Sequence, residues 1–263
     1  MGHRALKNRQ ILAGTVGLAV IVLTMQGPVH GQAGRGAAQD NQPPPTAKAG
    51  APFDPTGYWV SVITNNWRTR MVPPPLGDYV DMPLTDAAKR VADAWDPAKD
   101  EAAGNQCKYY GAASIMFQPE RLHITWQDDS TLRMDIDAGT QTRLFRFGNQ
   151  TAPQGKRTWQ GNSAASWEAR RARGGSPSAR YLKVTTTNML PAYLRKNGVP
   201  YGDRAALTEY YDLFQEQDGT TMMVVTIAVE DPVFLQRKYI VVSHFKKQPD
   251  ARGWDPTACS ARW

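Results

Sequence analysis

Histidine, cysteine and long apolar runs are all scarce in this chain, and each shortage removes a class of function. Four histidines occur in 263 residues, with no H-x-H or H-E-x-x-H spacing, so the arrays that hold catalytic metals are missing. The two cysteines form no C-x-x-C pair, which argues against metal-binding or catalytic thiols. No repeat of fixed period is present, and this counts against a propeller or a solenoid. The longest apolar run, Ile11 to Met25, is shorter than the ~20 residues a membrane-spanning helix needs.

That run follows ten residues with three cations and no acid, and it precedes Gly31-Gln32-Ala33. The pattern is a secretory leader, residues 1–33, with cleavage expected after Ala33. Membrane contact is then expected only through the leader before cleavage, and the location is periplasmic or secreted. The net charge of +7 includes Arg4, Lys7 and Arg9, so the mature chain carries 7 − 3 = +4. This excess is modest and spread out, without the clustered basic footprint of a nucleic-acid binder, and no nucleic-acid partner is expected.

Residues 34–52 are rich in Gly, Ala, Gln and Pro and are expected to form a flexible linker, because they bury too little to offset ordering. Residues 53–263 fit a single domain. Cys107 and Cys259 both lie in it, and an even count in an oxidising compartment predicts one disulfide.

Short runs of alternating apolar and polar residues predict strands at Gly57–Thr64, Ala112–Gln118, Arg121–Gln127, Thr131–Asp137, Thr140–Phe147, Thr158–Glu168, Tyr181–Asn188, Leu207–Gln215, Thr220–Val229 and Tyr239–Lys246. One short helix is predicted near residues 86–95, capped by Thr85, with a second short turn from Asp96-Pro97. The fold class is therefore all-β. A single antiparallel meander this long must deal with its edges, and closure into a lipocalin-like barrel is expected ahead of a two-sheet sandwich.

Several segments, read in order, carry a resemblance. Cys107-Lys108-Tyr109-Tyr110-Gly111, Asp137-Ala138-Gly139, Trp159-Gln160-Gly161-Asn162-Ser163, Trp167-Glu168, Leu182-Lys183-Val184-Thr185-Thr186, Leu207-Thr208-Glu209-Tyr210-Tyr211 and Val224 to Pro232 resemble a large uncharacterised family of secreted bacterial β-rich proteins. That family has W-x-G-x-S-x-G-x-W-E and V-x-x-x-D-P type blocks. The likeness covers about residues 105–246 and implies the fold and the export, but no catalytic residues, since the family has no established activity. Two departures stand out. Ala165 replaces a family glycine, and residues 169–180 form a basic loop where a tight turn belongs, read first as a solvated hairpin extension and second as a patch for anionic ligands.

Chemistry is limited after cleavage to His123 and His244. A pair facing one cavity could pass a proton, and two unrelated strand histidines are the plainer reading. Gly161-Asn162-Ser163-Ala164-Ala165 lacks the second glycine of a nucleophile elbow and sits inside a predicted strand, which argues against a serine hydrolase. Asp135 and Glu209 are the candidate acids, with Arg133 and Arg143 close enough to make structural ion pairs instead.

The aromatic residues, above all Trp126, Trp159, Trp167, Tyr210 and Tyr211, can line a pocket or fill a core. The leading expectation is an exported barrel that binds a small, largely apolar molecule, with no cofactor and no metal. The alternatives are an enzyme of the same fold (a lyase, isomerase or hydrolase) using Asp135 or Glu209 with His123 or His244, and a structural or interaction protein without a pocket.

Overall fold

The computed structural model describes residues 45–148, 155–171 and 177–262. The expected leader, the linker up to residue 44 and the centre of the basic loop lie outside the described residues. Among these residues eleven strands follow one another: β1 Gly57–Val62, β2 Arg121–Asp128, β3 Thr131–Ile136, β4 Gln141–Phe147, β5 Asn162–Arg171, β6 Pro177–Thr187, β7 Ala192–Tyr193, β8 Pro200–Tyr201, β9 Ala206–Gln215, β10 Thr221–Glu230 and β11 Tyr239–Gln248. Nine of them close a barrel in the order β1-β11-β10-β9-β6-β5-β4-β3-β2, while β7 and β8 form a separate hairpin. Closure removes the exposed edges that a nine-stranded open sheet would present.

The barrel differs from a pure antiparallel meander at one seam. β4 and β5 run parallel, with Phe145 opposite Ser163 and Phe147 opposite Ala165, because the chain returns to the end where β4 began before β5 starts. The expected strand Thr158–Glu168 accordingly begins only at Asn162, and Thr158 makes an isolated bridge to Met189. At Gly161 the backbone has φ +58, and a Cβ there would lie 2.5 Å from the Thr187 carbonyl oxygen, so the kink ahead of β5 needs glycine.

Helical structure is also more frequent than a single helix. Among the described residues four short helices occur, α1 Trp67–Met71, α2 Asp86–Asp93, α3 Pro97–Ala102 and α4 Ala112–Ile115, with a 3-10 turn at Lys108–Tyr110. Thr85 accepts a hydrogen bond from the Ala88 amide, so the expected cap is made, and the second turn expected from Asp96-Pro97 is α3, where Asp96 accepts from the Ala98 amide. The expected strand Ala112–Gln118 is instead α4 and the turn after it. All four α4 residues are buried, and a helix covered on every side shows no 3.6-residue rhythm.

The period of two decides what fills the barrel. Leu122, Ile124, Leu132, Met134, Phe145, Val184, Leu207, Tyr211, Met223, Val225 and Phe245 are buried, together with Trp59, which is fully covered. The middle of the barrel is thus packed by side chains. At one end the hairpins turn, including Asp128 to Thr131; this is the turn end. The other carries the starts of β2, β9 and β11 and is covered by the segment from Cys107 to Phe117; this is the plugged end. A disulfide joins Cys107 to Cys259, 152 residues apart in sequence, and pins the C-terminal tail there, where the Thr257 amide bonds the Asp137 carbonyl. No helix among the described residues is long and apolar enough to cross a membrane.

Candidate functional site

At the turn end four rings stand in a row. Trp126 and Phe147 have centroids 5.6 Å apart, Phe147 and Trp167 5.3 Å, and Trp167 meets Phe53 edge-on at 5.1 Å. Trp126 and Trp167 are in phase with the inward residues of β2 and β5, yet both are half-buried. Residues 45–56 form a strap over this end. The Trp167 indole nitrogen donates to the Ala47 carbonyl at 2.8 Å, and the Lys48 amide donates to the Asp129 carbonyl at 3.1 Å. Thus the last part of the expected linker lies against the barrel. Between strap and β2 opens a cleft of about 600 Å³, edged by Phe53, Trp126, Thr125 and the polar Lys48, Asp54 and Thr56. Its volume is typical of a small-molecule site.

At the plugged end the barrel interior is polar. Arg143, on the inward face of β4, donates from Nη1 to Glu209 Oε1 at 2.8 Å and from Nη2 to Glu209 Oε2, with both side chains fully buried. Tyr211 donates to the same carboxylate at 3.0 Å, and Thr186 links the pair to Ser163. Burial opposes charge on Arg143, but Glu209 beside it holds the guanidinium above its usual pKa. Burial next to Glu209 likewise pushes the Tyr211 phenol far up.

Glu120, just ahead of β2, also points into this end and is 4 % exposed. Neither of its oxygens has a hydrogen-bond partner, nor do the hydroxyls of Tyr201 and Ser243. Burial raises the Glu120 pKa well above the ordinary glutamate value, Asp137 adds to the rise, and Arg70 and Arg143 only partly offset it.

The residues expected from sequence divide between these surroundings and the outside. Trp126 and Trp167 belong to the turn end, and Tyr211 and Glu209 to the polar interior. Tyr210 lies on the outer face against Tyr181, at 5.7 Å. Trp159 sits near the plug, where its carbonyl accepts from the Ala112 amide. His123 and His244 alternate out of phase with the buried residues of their strands and do not share a cavity. His123 stacks on Tyr58 at 4.1 Å, and His244 Nδ1 contacts the Thr64 hydroxyl at 2.7 Å. Burial and the nearby Arg70 lower the His244 pKa.

Asp135 does lie directly opposite His123. Its carboxylate, however, is held by both nitrogens of the Arg133 fork at 2.7 Å and by Thr142 at 2.6 Å. Burial works against its ionisation, and these partners outweigh it to lower the pKa. Glu209 and Asp135 thus face opposite sides of the barrel wall.

Protein-family models, curated proteins and solved structures yield no match to this chain. Its chemistry is therefore read from its own geometry. No cluster of three or more metal-ligating side chains occurs among the described residues. A further cleft of about 580 Å³ opens outside, by Trp95, Tyr193 and Phe234. Its buried acid Asp100 is fully engaged by Trp95, Lys108 and Tyr193, which makes that cleft a braced wall.

Phe53, Phe147 and Glu120 were not among the expected site residues. One signal could have found Glu120: it is in phase with Leu122, Ile124 and Trp126, the inward residues of the strand it precedes.

Proposed function

We propose that this chain is an exported barrel that binds a small, largely apolar molecule at its turn end, between the strap and the row of rings. The observation that carries the reading is the run Phe53, Trp167, Phe147, Trp126, two of whose rings, Phe53 and Trp126, edge a cleft of about 600 Å³ together with Ala51 and the polar Lys48, Asp54, Thr56 and Thr125. The half-buried Phe53, Trp126 and Trp167 offer apolar area and ring faces to a guest. The leader-like N-terminus, the disulfide and the resemblance of residues 105–246 to secreted proteins support export.

The test is a titration with fatty acids, terpenoids, sterols and aromatic acids, read by tryptophan emission and by melting temperature. A ligand of the native state raises the melting temperature with concentration. Trp126→Ala should weaken binding at least tenfold. If no compound shifts either signal, the reading fails and an interaction protein takes its place. The one observation favouring an enzyme is the His123–Asp135 juxtaposition on the outer face; turnover of a bound compound that is lost in His123→Ala would favour it.

A further inference from the structure

We propose that the outer cleft beside α2 is a second, chemically distinct site that takes an aromatic carboxylate, its ring against Trp95 and Phe234 and its carboxylate against Arg90 and Lys99. The inference does not depend on the turn-end reading. The cleft measures about 580 Å³, within the range of small-molecule sites. One wall is a second apolar side of α2. That helix buries Ala88 and Ala92, while Ala87, Val91 and, just past its end, Ala94 fall together on the side that lines the cleft. Val91 is left 42 % exposed there. The other walls are fixed in place. The Trp95 indole N–H donates to Asp100 at 3.0 Å, and the Tyr193 hydroxyl donates to the same carboxylate at 2.7 Å. Gly198 packs so closely on Trp95 that a Cβ there would lie 2.3 Å from Trp95 Cβ and Cγ. Phe234 is tied to the start of α2, because its carbonyl accepts from the Thr85 amide at 3.1 Å and the Val233 carbonyl accepts from the Thr85 hydroxyl at 2.9 Å. Walls ordered in advance spare a ligand the cost of ordering them.

The charges select the guest. Asp100 is engaged by Trp95, Tyr193 and the Lys108 ammonium, the last at 2.6 Å, and Asp96 accepts through one oxygen from the Ala98 amide that it caps. Arg90 and Lys99, which also line the cleft, are exposed, and among the described residues their side chains have no hydrogen-bond or ion-pair partner. With Lys108 counted, three cations stand against two acids, and the charge left uncommitted is positive. A carboxylate matches the planar fork of an arginine. An entering cation would find only the second oxygen of Asp96 and would face Arg90 and Lys99. The polar tips of Trp95 and Tyr193 are turned to Asp100, so what these rings add to the cleft is apolar surface, and this favours a guest with a ring of its own.

Calorimetry on the full oxidised chain tests this with naphthoate, its neutral amide, naphthylmethylammonium as the cation and acetate as the charged group alone. The expected result is saturable binding of naphthoate that weakens as salt is raised, at least tenfold tighter than the amide, with no saturable binding of the cation or of acetate. The same salt-sensitive binding should be found in Trp126→Ala, which separates this cleft from the turn end. Arg90→Gln combined with Lys99→Gln should lower the affinity at least tenfold, and Val91→Glu, which sets a carboxylate on the apolar wall, should abolish binding. All three positions are exposed, so these variants should melt close to the wild type. Equal affinity for naphthoate and its amide, tighter binding of the cation, unchanged naphthoate binding in the double variant, or no saturable binding would each overturn the proposal.

Discussion

The turn end of the barrel is closed by rings and by a strap held through two backbone carbonyls, those of Ala47 and Asp129. The plugged end is closed by a disulfide and by buried charges, among them a salt bridge with both side chains fully covered. The two closures obey different physics. Apolar contact is non-directional and roughly proportional to area, so it loosens by degrees. A buried polar network is either satisfied or costly, because a lost partner strands a desolvated charge. The first kind suits a closure that opens by degrees, the second a rigid floor.

If that contrast is right, the largest effect comes from breaking the floor. Arg143→Met should destabilise by about 3–5 kcal/mol in urea unfolding, since it leaves Glu209 buried and unpaired. The double change Arg143→Met with Glu209→Leu should recover most of the loss. A single-variant loss near 1 kcal/mol, typical of an exposed pair, would erase the distinction between the ends. Next in size, replacing Cys107 and Cys259 together by alanine should lower stability by about 2–5 kcal/mol. Amide exchange should then rise in the tail and plug, while protection around Trp126 stays as it was.

A smaller effect depends on pH. Burial, and then Asp137, raise the Glu120 pKa in the folded chain, so the folded state binds its proton more tightly than the unfolded state. The stabilisation is therefore complete below the ordinary glutamate value, near pH 4.5, and is lost as pH rises through the folded value. Over that window the slope is at most about 1.4 kcal/mol per pH unit for one group. Glu120→Gln should flatten it, gaining on the wild type as pH increases. Asp137, also raised by burial, leaves a residual slope of the same sign. Parallel pH profiles for the two proteins would show that Glu120 is solvated after all.

The same contrast explains what the sequence made legible. Barrel strands alternate because one face is buried and the other wet, so β2, β3, β9, β10 and β11 are readable to within a few residues. α4 is buried all round and reads as a strand, and the two-residue strands β7 and β8 are too short for any rhythm. The parallel β4–β5 seam depends on where a long connection leads, which no local pattern encodes. The aromatic mouth was half legible: Trp126 and Trp167 alternate inward, whereas Phe53 falls at the start of the expected domain with no strand to give it a phase. Glu120 was hidden by frequency, because glutamate is almost never fully buried without a partner.

The smallest predicted effect is the most useful test of the mouth. Phe53 touches Trp167 edge-on, and such ring pairs contribute about 0.5–1.5 kcal/mol beyond burial. Phe53→Ala should thus lower global stability by roughly 1–2 kcal/mol at most, far less than loss of the buried ion pair. Its local consequence should be larger than that figure suggests. With the ring gone, the strap retains mainly its backbone bonds to the barrel, and a segment with few apolar contacts opens at low free energy. Trp167 would then meet water more often, so its emission should shift to the red and iodide should quench it more strongly. An apolar ligand should associate faster while dissociating faster still. If Phe53→Ala instead unfolds the whole domain, the strap is an integral part of the core, and the turn end is no more open than the plugged one.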